Sequence, residues 1–159
     1  MVGPGDTPFM LPAKAAVTIN ATNPQGPQNV GSFAMQGLGA SPSLARITPK
    51  ATGNILVTIQ GVINSVGLMT AGDGLALKLY YGSGVAPANN GAVTGTILGK
   101  QLNFWIPATA TVATLWAFSI SGVILGAVLS TSLWMDLAAE CFLATGSIIT
   151  NIVVNAVEI

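Results

Sequence analysis

The chain has no histidine, a single cysteine and very little charge: five Lys or Arg and five Asp or Glu among 159 residues, or 6%, against roughly 25% in an average soluble domain. Each shortage excludes a class of function. Without histidine the commonest general base is missing, and so is the usual partner of a serine or cysteine nucleophile. Acid–base chemistry would then need two carboxylates at a set separation, and the only close pair is Asp136 and Glu140. On a strand their Cα atoms lie about 13 Å apart at roughly 3.3 Å per residue, outside the roughly 5 to 9.5 Å used in glycoside hydrolysis. They read as polar residues on a strand face turned to solvent or a neighbour. A helix over 133–144 would instead set them one turn apart, within reach of a shared cation. No enzymatic activity is expected.

Cys141 has no intrachain partner for a disulfide and falls in an apolar alternation, which makes it structural. Asp73, between Gly72 and Gly74, is not followed by the further ligands of a calcium loop. The run Gly95 to Gln101 fails as a phosphate loop, because Gln101 stands where Ser or Thr must bind magnesium. No metal and no cofactor is expected. The formal net charge is zero, and the only cations are Lys14, Arg46, Lys50, Lys78 and Lys100, too few and too scattered for nucleic acid. Met1 to Met10 lacks the basic start and apolar run of a secretory signal, so synthesis in a cytoplasm is expected and the Asn20-Ala21-Thr22 triplet is a chance match to a glycosylation site.

What the chain does have is apolar surface: 51% of its residues are hydrophobic. Such a composition suits a membrane protein or one whose surface is covered by other subunits, where uncharged contacts avoid desolvating ions. The membrane candidate is the uncharged stretch Gln101 to Met135, most apolar over 112–129, with Gly122 and Gly126 at helix-dimer spacing. Thr114, Ser119 and Ser121 interrupt it and no Lys or Arg follows to orient it, so no membrane contact is expected. Period two fits better. Trp116, Phe118 and Ile120 alternate with Ala117, Ser119 and Ser121, as a strand with one buried face requires. Ile55, Val57, Ile59 and Ile63 share a face, as do Leu75, Leu77 and Leu79, and Leu133, Met135, Leu137, Ala139 and Cys141. Near the end, Ile148, Ile152, Val154 and Ala156 oppose Asn151 and Asn155.

Turns rich in Gly, Pro, Asn and Asp separate these runs. The pattern predicts eight strands near 15–20, 43–48, 54–65, 75–81, 96–105, 111–121, 131–143 and 147–158, the count of a jelly-roll β-sandwich. The fold class is therefore all-β, an antiparallel jelly-roll-like β-sandwich. Residues 1–32, with Pro4, Pro8 and Pro12, read as an extended N-terminal arm and loop, and 33–159 as the sandwich. Phe9, Met10 and Leu11 would be the apolar anchor of an attachment arm. The apolar segment Leu115 to Leu129 predicts a subunit contact, with Trp116, Phe118 and Ile120 as its interface residues. Trp105, Trp116, Trp134, Tyr80 and Tyr81 fit core or interface packing better than a sugar platform.

Two stretches carry a resemblance. Ile47-Thr48-Pro49 with Gly53 to Val57, and Thr70 to Gly74 leading to Tyr80-Tyr81-Gly82-Ser83-Gly84 and Ala86 to Gly91, resemble small β-rich structural proteins of bacteriophages and prophages. The resemblance covers roughly Arg46 to Ile159 and rests on turn patterns. It implies a virion component with no catalytic motif, a head decoration or cement protein or else a receptor- or glycan-binding fibre head, built as a jelly roll. It also implies a homo-oligomer, typically a trimer, whose partners are its own copies and the major capsid protein or other virion proteins.

Overall fold

The computed structural model of the chain describes residues 12–21, 31–41, 43–65, 71–105, 115–142 and 147–159. Among these there is no helix, and nine strands form two antiparallel sheets. They are β1 (Ala16–Ala21), β2 (Ala34–Met35), β3 (Arg46–Ile47), β4 (Ile55–Ser65), β5 (Gly74–Ser83), β6 (Thr96–Trp105), β7 (Leu115–Ile124), β8 (Leu133–Cys141) and β9 (Ser147–Glu158). The front sheet runs β1-β9-β4-β7 and the back sheet β2-β8-β5-β6, with β3 also on β8. Because β2 and β3 pair with opposite ends of β8, they share one position, and nine strands fill eight places.

The pairing follows from rolling up one long antiparallel ribbon. The first strand pairs with the last, β2 and β3 with β8, β4 with β7, and β5 with β6; rolling then brings β9 onto β4 and β8 onto β5. This is the jelly-roll order expected from the strand count. Between the sheets lie Ile55, Val57, Ile59 and Ile63 of β4, Leu75, Leu77 and Leu79 of β5, and Leu133, Met135, Leu137, Ala139 and Cys141 of β8. All of these are buried, so each large one gains about 1.5 to 3 kcal/mol over an exposed side chain. The sandwich closes along β6 and β7, where Gly122 is required: a Cβ there would stand 2.7 Å from the Cβ of Leu98.

Three expectations are corrected. Strand β7, expected over 111–121, covers Leu115–Ile124 among the described residues and so ends later than expected; no helix among the described residues is long and apolar enough to cross a membrane. In β9 it is Ile149, not Ile148, that faces the core. Asn151 adopts a left-handed φ of 52° and the β4–β9 register shifts between Gln60 and Val62. That bulge adds one residue to β9 and turns everything before it to the opposite face. Finally, β1 belongs to the sandwich by its full pairing with β9, so the boundary between arm and sandwich at residue 33 lies too late.

Candidate functional site

The outward face of the front sheet can be read row by row from the register. Ala16, Val157, Leu56 and Val123 form one row across all four strands. Beyond it, Ile159 donates its N–H to the Asn54 carbonyl, and exposed Leu125 follows the end of β7. The next rows are Thr18, Asn155, Thr58 and Ser121, then Asn20, Val153, Gln60 and Ser119. Past the bulge come Thr150, Val62 and Ala117, then Ile148, Asn64 and Leu115. None of these residues is charged. Leu56, Val157 and Val123 keep 41%, 44% and 42% of their surface exposed, and Leu125 keeps 75%. The face is thus apolar at both ends, around Leu56, Val123 and Val157 at one and Ile148 and Leu115 at the other, with Thr, Ser, Asn and Gln prevailing between them.

The back sheet is different. Its outward face carries Lys78, Asp136 and Glu140, and the chain covers it with segments 31–41 and 84–91. Met35 and Ala86 from these segments bury Trp134 and Ala138 beneath them. Lys78 places its Nζ 3.8 Å from the centre of the Phe33 ring, a cation–π contact. Asp136 pins the strap: its Oδ2 accepts from Gly37 N–H at 3.0 Å, and its Oδ1 accepts from Leu38 N–H at 3.1 Å and Leu137 N–H at 2.8 Å. Burial pushes the Asp136 pKa up to about 7, against the pull of those N–H groups. Asp136, expected on a strand face turned to solvent or a neighbour, is buried, because a strap of the same chain lies over it. Asp136 and Glu140 sit on a strand opposite Tyr80 and Ala76, so the helical alternative for 133–144 does not hold over the described part.

A second carboxylate is still more enclosed by donors. Glu158 Oε2 accepts from the N–H of Ala15 and Lys50, both at 2.9 Å, and Oε1 from Ala51, Thr52 and Gly53 at 2.8, 2.6 and 2.9 Å. Consecutive N–H groups that turn inward make an anion-binding concavity, and here the anion is the protein's own side chain. Gly53 completes the concavity with a φ of 71°, and a Cβ there would run into the Ala127 carbonyl. Burial alone would raise the Glu158 pKa, but the N–H groups of Ala15, Lys50, Gly53 and Thr52 outweigh it and hold the carboxyl well below the usual range.

The structure places the residues singled out in the sequence as follows. Phe118 and Ile120 lie in the chain's own core, with Trp116 half-buried against it; their apolar surface is taken up within one chain, and the outward side of β7 is Leu115, Ala117, Ser119, Ser121 and Val123. Phe9, Met10 and Leu11 lie outside the described residues. Cys141 is buried in the core, and no group of metal-ligating side chains occurs among the described residues. Trp134 is buried and donates its Nε1–H to the Ser83 carbonyl, while Trp105, exposed, stacks on Phe142 at 4.4 Å. The row Ala16, Val157, Leu56 and Val123 was missed in the sequence, although its signal was there, in the uncharged positions between the buried ones. No protein-family model matches the chain, and no curated protein matches it.

Proposed function

We propose that this chain is a non-enzymatic structural subunit of a virus particle, a bacteriophage capsid decoration protein that assembles with its own copies and adds contacts between capsid subunits. The observation that carries the reading is the outward face of the front sheet, whose paired rows hold no charge, with Lys14 standing just beyond the first row. Dispersed monomers keep their surfaces roughly 25–35% charged, whereas charged residues are depleted at the centres of interfaces. With strands about 4.8 Å apart and about 3.3 Å per residue, the face covers on the order of 600 Å², close to the roughly 800 Å² per partner of a standard interface. Its burial desolvates no ion. The jelly-roll order is shared by capsid and lectin domains; since a fold hosts many functions, it supports the class and the bare face supports the role. In this reading the protein resides in the virion, its partners are further copies of itself and the major capsid protein, and Phe9, Met10 and Leu11 anchor the arm.

Light scattering on the purified protein is expected to give a stable oligomer at micromolar concentration, and a stable monomer sinks the proposal. Leu56→Lys, at the centre of the apolar row, is expected to weaken assembly at least tenfold. Its β spectrum should be unchanged and its stability altered by no more than about 0.5 kcal/mol, as for other surface changes. Deleting residues 1–12 is expected to leave the spectrum intact and to weaken binding to particles. A glycan-binding fibre head is the second reading, favoured by exposed Trp105 stacked on Phe142. Electron microscopy of particles separates the two: density on the head lattice supports decoration, and density at a tail tip supports the fibre head.

A further inference from the structure

We propose that two copies of this chain join through β1, edge to edge and antiparallel, so that two four-stranded front sheets become one eight-stranded sheet across a twofold axis. The inference rests on the self-assembly reading and specifies a contact for it. Strand β1 pairs with β9 on one side, and no described strand pairs with it on the other. Beside its first half, an open cleft of about 520 Å³ separates it from β3.

The ladder fixes which groups point to that edge. Glu158 donates its N–H to the Ala15 carbonyl, which makes Ala15 and Glu158 a hydrogen-bonded pair. Antiparallel pairs alternate, so Val17, Ile19 and Ala21 bond to β9, and the N–H and C=O groups of Ala16, Thr18 and Asn20 point outward. These three positions are symmetric about Thr18. A second β1 run antiparallel with Thr18 opposite its own copy, and Ala16 opposite Asn20, satisfies all of them with about six hydrogen bonds. The same register sets Val17 opposite Ile19 of the copy as a close, non-hydrogen-bonded pair. Both side chains are half-buried against the core at the open edge, and the added strand would cover them.

The edge also lacks the devices that keep natural edges apart. Ala16–Ala21 contains no Lys, no Pro and no inward charge. Lys14, Arg46 and Lys50 line the cleft beside its first half, while the strand itself offers only backbone groups and uncharged side chains, which fit a partner of the same kind; β-strand addition of this sort is a common mode of association. The contact is isologous and closes as a dimer. Thr18, Ala16 and Asn20 also belong to the uncharged outward face, which the pairing extends without a break. The two Lys14 side chains would lie about 25 Å apart along the strands, beyond the roughly 8 Å screening length at physiological salt.

Residue-resolved hydrogen exchange at two protein concentrations tests the contact. The amides of Ala16, Thr18 and Asn20 are expected to exchange at least about 100-fold more slowly in the concentrated sample and to lose that protection on dilution. Val17, Ile19 and Ala21 should stay protected in both. Thr18→Pro removes an outward donor and leaves the β9 ladder intact, and it is expected to raise the dimer dissociation constant at least tenfold. Fast exchange at Ala16, Thr18 and Asn20 in an assembled protein overturns the β1 contact and leaves self-assembly standing. Protection that survives dilution overturns it too, by placing a segment of the same chain on the edge. A monomer at every concentration overturns both readings.

Discussion

Glu158→Ala is expected to lower the melting midpoint by on the order of 10 °C, among the largest effects of any polar substitution in this chain. The reason is the number of donors left behind. Ala15, Lys50, Ala51, Thr52 and Gly53 all give their N–H to this carboxylate, and alanine accepts none of them. The loss is not confined to one turn, because the carboxylate ties the 50–53 turn and the start of β1 to the end of β9. Glu158→Gln tests the part played by charge: one oxygen remains, but the new amide nitrogen faces N–H groups, so rescue should be partial. The pH dependence has a fixed sign. The folded carboxyl is held well below its ordinary value of 4.5, so its contribution is complete above that value and declines as pH falls below it. Thermal melts of wild type and Glu158→Ala should therefore converge as the pH is lowered from 5 toward 2. A constant gap across that range would show that the carboxylate's charge is not what the turn requires.

How much of this was legible in the sequence depends on whether the cause was local. Strand β6 and strand β9 fall where alternation and turn residues place them, because period two and Gly-rich turns are properties of a few neighbouring residues. The jelly-roll class followed from the number of such runs. The face of Ile148 and Ile149 was not legible, since the bulge at Asn151 breaks the parity on which the reading depends. Nor was the burial of Asp136: Trp134, Asp136, Ala138 and Glu140 do form the outer face of β8, but the strap that covers them comes from residues about a hundred positions away. The 50–53 turn was visible, whereas its acceptor is 105 residues from Gly53 and the site consists of backbone donors, which every sequence has. For the face proposed to mediate assembly, the relevant signal is not where apolar residues stand but where charge is missing. Trp116, Phe118 and Ile120 drew attention as large apolar groups and sit on the inward side of β7. Leu56, Val123 and Val157 alternate with buried residues and form the outward row.

Between pH 4 and pH 7 the protein is expected to become less stable as the pH rises, the reverse of the usual acid side of a stability profile. Asp136 is responsible. Its pKa is about 7 when folded against an ordinary value of 3.8, so in this window the folded chain holds a proton that the unfolded chain releases. The extra stability is complete below the unfolded value and is lost as pH rises through the folded one. At about 1.4 kcal/mol per unit, the full change is on the order of 4 kcal/mol, a large fraction of the 5 to 15 kcal/mol that holds a typical domain. The assignment is unusually clean because the chain has no histidine, the side chain that ordinarily titrates between pH 5 and 8. Glu158 acts with the opposite sign below 4.5, so the two carboxylates together place the stability maximum near pH 4 to 5. Asp136→Asn removes the titration. Its one carbonyl oxygen can keep the Leu38 and Leu137 donors, while its amide nitrogen meets Gly37 N–H, so the variant should be less stable than wild type at pH 5 and lack the slope above it. Asp136→Ala leaves two strap donors and the Leu137 N–H without their acceptor, at about 1 to 3 kcal/mol for each that stays buried, and should expose Trp134 to collisional quenchers. Denaturant melts at half-unit steps from pH 4 to 8 decide the matter: if Asp136→Asn retains the wild-type slope, the proton belongs elsewhere and the strap is not held by a titrating group.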